Sequence, residues 1–128
     1  MSKDFSYSLE KFENAVKRLQ ESYALPKSDI VRDSCAKRFE FSVELAWKTM
    51  KLYLNEKHGV SVQSPKSCVR EAYRLNLINY EITWLKMIDW RNDLAHGYEE
   101  SYADTVYENL TEVMKLLNEV IVKLNTEK

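Results

Sequence analysis

The chain has 128 residues, 45% of them hydrophobic and 30% charged, with a formal net charge of −1 at pH 7. A chain of this size buries roughly two-thirds of the surface that its unfolded form exposes, so a single domain over residues 1–128 is expected. The charge balance excludes a disordered tail and a protein that coats nucleic acid or membrane by bulk charge, while a local basic cleft stays open.

No stretch reads as a transmembrane span, and the N-terminus Met1-Ser2-Lys3-Asp4-Phe5 lacks the apolar segment of a signal peptide. Cys35 and Cys68 have no neighbour at metal-ligand spacing. They are expected as free thiols in a reducing cytoplasm, with no structural zinc.

Two glycines and two prolines are too few for the turns of an all-β fold. Pro26, Gly59, Pro65 and Gly97 fall instead where long helices should end. A first helix over about residues 4–24 carries Phe5, Leu9, Phe12, Val16, Leu19 and Tyr23 at the spacing of one face. Ser28 opens the second, about 29–57, which Gly59 ends. Phe39, Val43, Ala46, Met50 and Tyr53 form one stripe on it. Phe41, Leu45 and Leu52 form another, set apart by Ser42 and Thr49. Two apolar faces predict a helix that is sandwiched, or one whose second face meets another subunit.

Ser64-Pro65 pairs a cap with the residue favoured at the first helical position, so a short third helix covers about 65–75. Lys66, Arg70 and Arg74 lie four apart on it as a basic ridge, either a solvated face or a phosphate or partner contact. The fourth helix, about 79–96, is expected to bury Ile82, Trp84, Leu85 and Ile88, with Gly97 as the residue beyond its end. Ser101 and Asp104 suggest a capping box for the last helix. Its Ala103, Val106, Leu110, Val113, Leu117, Val120 and Leu124 alternate steps of three and four, the seam of nearly parallel packing. The expected fold is all-α, an antiparallel up-and-down bundle of four to five helices.

Only two histidines are present. His58, at a helix end, is expected to satisfy terminal carbonyls. His96 stands in Arg91-Asn92-Asp93-Leu94-Ala95-His96-Gly97-Tyr98, an Arg-x4-His-x-Tyr pattern. RNA carries its own nucleophile, the 2′-hydroxyl, so its cleavage requires no metal or cofactor if a base removes that proton. An imidazole that titrates near neutrality suits that role, and a guanidinium stabilises charge on the phosphorane-like transition state. Asn92 is suited to bond a phosphate oxygen or to orient His96. Five residues rotate a straight helix by about 140°, so Arg91 and His96 do not share a face. Either the helix unwinds near Gly97 or the two groups meet across a dimer cleft. Trp84, Trp90, Tyr98, Tyr102 and Tyr107 surround the motif, either as core and interface or as stacking surfaces for bases.

Three blocks resemble the nucleotidyltransferase substrate-binding proteins of the HEPN superfamily. They are Arg38 to Lys48 (RFEFSVELAWK), Ser64 to Ala72 (SPKSCVREA) and Arg91-Asn92 through His96-x-Tyr98. The similarity keeps their order and spans nearly the whole chain. It implies a HEPN-like helical bundle that dimerises and is encoded beside a minimal nucleotidyltransferase. It also implies an RNA-cleaving toxin, with Arg91, Asn92 and His96 as nuclease residues at the dimer cleft. The partner is implied as an antitoxin that transfers AMP from ATP to Tyr98. The alternative is a non-catalytic substrate-binding subunit of a two-component nucleotidyltransferase.

Overall fold

The computed structural model describes residues 1–97 and 99–127, and among these there are six helices and no strand. They are α1 (Lys3–Tyr23), α2 (Asp29–His58), α3 (Pro65–Arg74), α4 (Glu81–His96), α5 (Glu100–Glu108) and α6 (Leu110–Asn125). The expected all-α bundle is present.

Local signals place the starts of the first three helices and the end of the second. The Ser2 hydroxyl accepts from the Phe5 N–H at 3.0 Å, and the Ser28 hydroxyl accepts from that of Val31 at 3.1 Å. Each satisfies an amide that the first turn leaves unpaired. Ser64 and Ser67 form a reciprocal capping box, with Pro65 in the first turn of α3. Gly59 ends α2 at φ 66°, a left-handed conformation that glycine adopts without steric cost. That turn lets the Gly59 and Val60 N–H groups reach back to the Asn55 and Leu54 carbonyls.

α1 and α2 run antiparallel along their full length. Ser2 bonds Glu56 at one end, Ser8 bonds Thr49 midway, and Ser22 bonds Ser34 at the other. α6 lies antiparallel to α1 in turn, with Tyr23 bonded to Thr111 and Asn125 to Glu13. α2 packs on α1, α3, α4 and α5; its first apolar stripe is buried, whereas Phe41 of the second is exposed and Leu45 and Leu52 are half-buried. The strip between those stripes is buried, with Ser42 and Thr49 both 0% exposed. Their hydroxyls donate to the Arg38 and Leu45 carbonyls one turn back, at 2.8 and 2.7 Å, so neither polar atom is buried unpaired.

The C-terminal third departs from expectation. The single last helix divides at Asn109, whose N–H bonds the Val106 carbonyl three residues back and whose side chain bonds the Thr105 carbonyl. The seam runs through this break, and every one of its seven side chains is buried. Six helices therefore replace the four to five expected. α5 starts after Glu99, with no side-chain cap. The Ser101–Asp104 box is absent because α5 begins at Glu100, which puts Ser101 inside the helix, and the Asp104 carboxylate bonds Arg32 of α2 at 3.1 Å. In α4, Ile82 is 70% exposed rather than buried. Residues two apart on a helix point about 160° apart, so burying Trp84 turns Ile82 outward. Leu77 and Ile78 of the preceding loop join the core instead. His58 meets Tyr53 edge-on at 5.6 Å rather than bonding terminal carbonyls. Gly97 follows α4 in extended backbone, at φ 175°.

Among the described residues no helix is long and apolar enough to cross a membrane. Cys35 and Cys68 are buried free thiols.

Candidate nucleic-acid site at the end of the fourth helix

α4 buries Trp84, Met87, Ile88 and Leu94 in the core, which leaves Arg91 and Asn92 partly exposed and His96 exposed at its last position. Arg91 does not wave freely. Its Nη2 lies 2.7 Å from Glu44 Oε2, and its Nη1 donates to Asn92 Oδ1 at 3.1 Å. Both members of the ion pair keep 28% of their side-chain surface.

Glu44 is itself held. Lys48 Nζ lies 3.1 Å from its Oε1, and Trp47 Nε1 donates to Oε2 at 3.2 Å. Partial burial pushes the Glu44 carboxyl up. The hydrogen bonds from Lys48 and Trp47 and the charge of Arg91 outweigh that and leave it below its ordinary value. The guanidinium is thus fixed at one edge by a carboxylate that stays ionised. Sequence reasoning did not single out Glu44. The available signal was its place in the Arg38 to Lys48 block, four residues before Lys48.

Arg91 and Asn92 are brought together, and His96 is not joined to them within the chain. α4 remains helical through His96. Local unwinding therefore does not close the gap of about 140° around the helix and about 7.5 Å along it. Tyr98, singled out as the modification site, lies outside the described residues.

The basic ridge is partly tied down. Lys66 Nζ bonds Asp89 of α4 at 2.7 Å, Arg74 pairs with Glu71 on its own helix at 2.7 Å, and Arg70 is exposed. The aromatic group divides too. Trp84 is core, and Tyr107 packs on Tyr23 at 5.5 Å with Lys27 over its ring. Trp90 and Tyr102 stay half-buried and line a pocket of about 330 Å³ with Asp93, Ser101 and Thr105. No group of three or more His, Cys, Asp or Glu among the described residues is placed to hold a metal ion.

A second unpredicted feature braces this end of the bundle. Arg32, with 9% of its side-chain surface left, bonds Glu100 at 3.0 Å and Asp104 at 3.1 Å on α5, and Asp33 on its own helix. Farther round the molecule, a groove of about 500 Å³ between α1 and α2 is lined by Lys11, Arg18, Arg38, Phe41 and Leu45 among others. Phe41 is 53% exposed.

Comparison with known proteins places these features beside several relatives. The sequence profile of the family described as nucleotidyltransferase substrate binding protein like matches residues 7–126. A Haemophilus influenzae protein named probable ribonuclease HepT is 28% identical over 116 residues, which cover 84% of this chain and 78% of that protein. A crystal structure from Thermus thermophilus superposes with a TM-score of 0.82 at 32% identity, covering 88% of this chain and 98% of the other. A further Haemophilus influenzae structure, described as the fold of a substrate binding domain of a nucleotidyltransferase, matches with a TM-score of 0.69 at 23% identity. It covers 94% of this chain and 96% of the other and shares the fold.

Proposed function

Given that the chain belongs to the nucleotidyltransferase substrate-binding protein family, we propose that it is a dimeric, metal-independent endoribonuclease of the HEPN superfamily. In this reading it is the cytoplasmic toxin of a pair whose antitoxin is a minimal nucleotidyltransferase. The observation that carries it is the held guanidinium: Glu44 and Asn92 fix Arg91 at the surface of α4, five residues before an exposed imidazole. The name of the Haemophilus relative, probable ribonuclease HepT, points the same way.

The reaction is an in-line attack of a ribose 2′-oxygen on the adjacent phosphorus. His96 takes the 2′-hydroxyl proton, or donates one to the departing 5′-oxygen, and the products are a 2′,3′-cyclic phosphate and a 5′-hydroxyl. Arg91 stabilises the extra negative charge on the phosphoryl oxygens, and Asn92 keeps its guanidinium turned toward them. One chain separates the two groups, so Arg91 of one copy meets His96 of the other across a cleft. Phe41 supports such a pairing. It lies three residues before Glu44, on the adjoining strip of α2, so a copy docked there borders Arg91.

Silencing follows by group transfer. The Tyr98 phenolic oxygen attacks the α-phosphorus of ATP and pyrophosphate leaves, which places an AMP diester beside His96 in sequence. Lys66, Arg70 and Arg74 are the surface for the RNA backbone or the partner.

Incubating wild type, Arg91→Ala and His96→Ala with RNA in chelator tests this. Wild type should cut the RNA, and each variant should lose about 10²–10⁴-fold of the rate. Equal cutting by the variants would overturn the assignment. RNA bound by wild type but left intact would favour the non-catalytic substrate-binding subunit, a reading consistent with the family's description.

A further inference from the structure

We infer that the pocket between α4 and α5 receives a guanine base of the RNA, and so selects where the chain cuts. The inference rests on the ribonuclease reading. At about 330 Å³ the pocket is at the small end of ligand clefts, suited to a single ring system rather than a folded nucleotide. Trp90 and Tyr102 give it aromatic walls, and both keep part of their surface in contact with solvent. A flat base stacks on such rings.

The polar groups then discriminate. The Thr105 hydroxyl is spent on the Ser101 carbonyl at 3.0 Å. Among the described residues nothing pairs with the exposed Asp93 carboxylate, the one charged group in the pocket's described lining. The negative charge of Asp93 disfavours phosphate inside the pocket and favours a neutral ring that offers donors. Two carboxylate oxygens match two parallel donors. Guanine offers that pair, its N1–H and its exocyclic amino group. Adenine and cytosine place one donor group beside an acceptor, and uracil flanks its N–H with two carbonyls.

The placement suits the chemistry. Asp93 and His96 lie three residues apart, about 60° around α4 and about 4.5 Å along it. A base seated on Asp93 therefore leaves its own phosphodiester next to His96. Arg91 points to the other side of α4, toward Glu44, where the second copy's imidazole would come.

The test measures binding without cleavage. Full-length His96→Ala protein is titrated with labelled uridine-rich oligonucleotides that carry a single G, A or C. The G-containing RNA should bind about ten-fold more tightly than the others, the size of one bond to a charged acceptor. Adding Asp93→Asn should erase that preference, and Tyr102→Ala should weaken every RNA, with folding checked by circular dichroism. Preference unchanged by Asp93→Asn, or none at all, would overturn the assignment. Wild-type cleavage of the same RNAs separates the two readings. Cutting that ignores guanine sinks the pocket alone, while Asp93-dependent guanine binding without cutting keeps the pocket and sinks the nuclease.

Discussion

Glu44 and Arg91 sit on different helices and meet at 2.7 Å, so a carboxylate of α2 decides which way the arginine of α4 faces. The pair is neither deep in the core nor free in water. Its value is orientation more than stability, since a guanidinium held at one edge loses little freedom when it meets a phosphate.

Replacing Glu44 by Gln should cost about 0.5–1 kcal/mol of stability, the scale of a partly exposed pair. The carboxyl sits below its ordinary value when folded. The pair therefore contributes fully above the unfolded value of about 4.3, and its contribution is lost as pH falls through the lower folded value. Melting curves of wild type and Glu44→Gln should differ between about pH 5 and 7 and converge near about pH 3. RNA cleavage by the variant should fall about ten-fold. A difference in melting that persists in acid would show that the pair is not its source.

Arg32 braces α2 against α5, and its partners are four carboxylates that would otherwise repel one another. Their hydrogen bonds, Glu100 foremost, raise the guanidinium's affinity for its proton against the opposing effect of burial. Arg32→Met should lower the melting temperature by roughly 5–10 °C at neutral pH. The unpaired carboxylates then bind protons more tightly in the folded chain than in the unfolded one. The deficit should shrink as pH falls below about 4, where they are protonated in both states. A scan of melting temperature against pH checks both statements.

Burial pushes the Cys68 thiol up to about 12 and raises that of Cys35 as well. The thiolate is the reactive form, so both should resist a thiol-exchange reagent in native protein at about pH 8. Both should react once denaturant is added. A thiol that reacts within seconds in the native protein would contradict the burial.

Phe41 keeps half its surface beside the Lys11–Arg38 groove. If a second copy covers it, Phe41→Glu should leave the fold intact and shift sedimentation from a dimer of 15.2 kDa chains toward the monomer. Cleavage should fall with the dimer, because the proposed site needs both copies. Unchanged sedimentation would send the dimer contact elsewhere.

Much of the fold was legible because its signals are local. Ser28, Gly59 and Ser64-Pro65 mark helix ends within a few residues, and the alternating steps from Ala103 to Leu124 remain buried even across the unforeseen break at Asn109. Capping and periodicity are settled by neighbours along the chain. α4 was harder. It is apolar around most of its circumference, so its sequence did not say whether Ile82 or Met87 faces inward, and packing against α2 and α3 did.

The motif Arg91-Asn92 through His96 and Tyr98 could be read from the sequence, together with the rotation that keeps Arg91 and His96 apart on a straight helix. What holds Arg91 could not. Glu44 reaches it, and Arg32 meets Asp104, only after α2 is packed against α4 and α5. Choices between a local partner and one far along the chain are made by distance in space. A side chain's neighbours in sequence set its helix and its face, and the packing of helices sets the charge it finally meets.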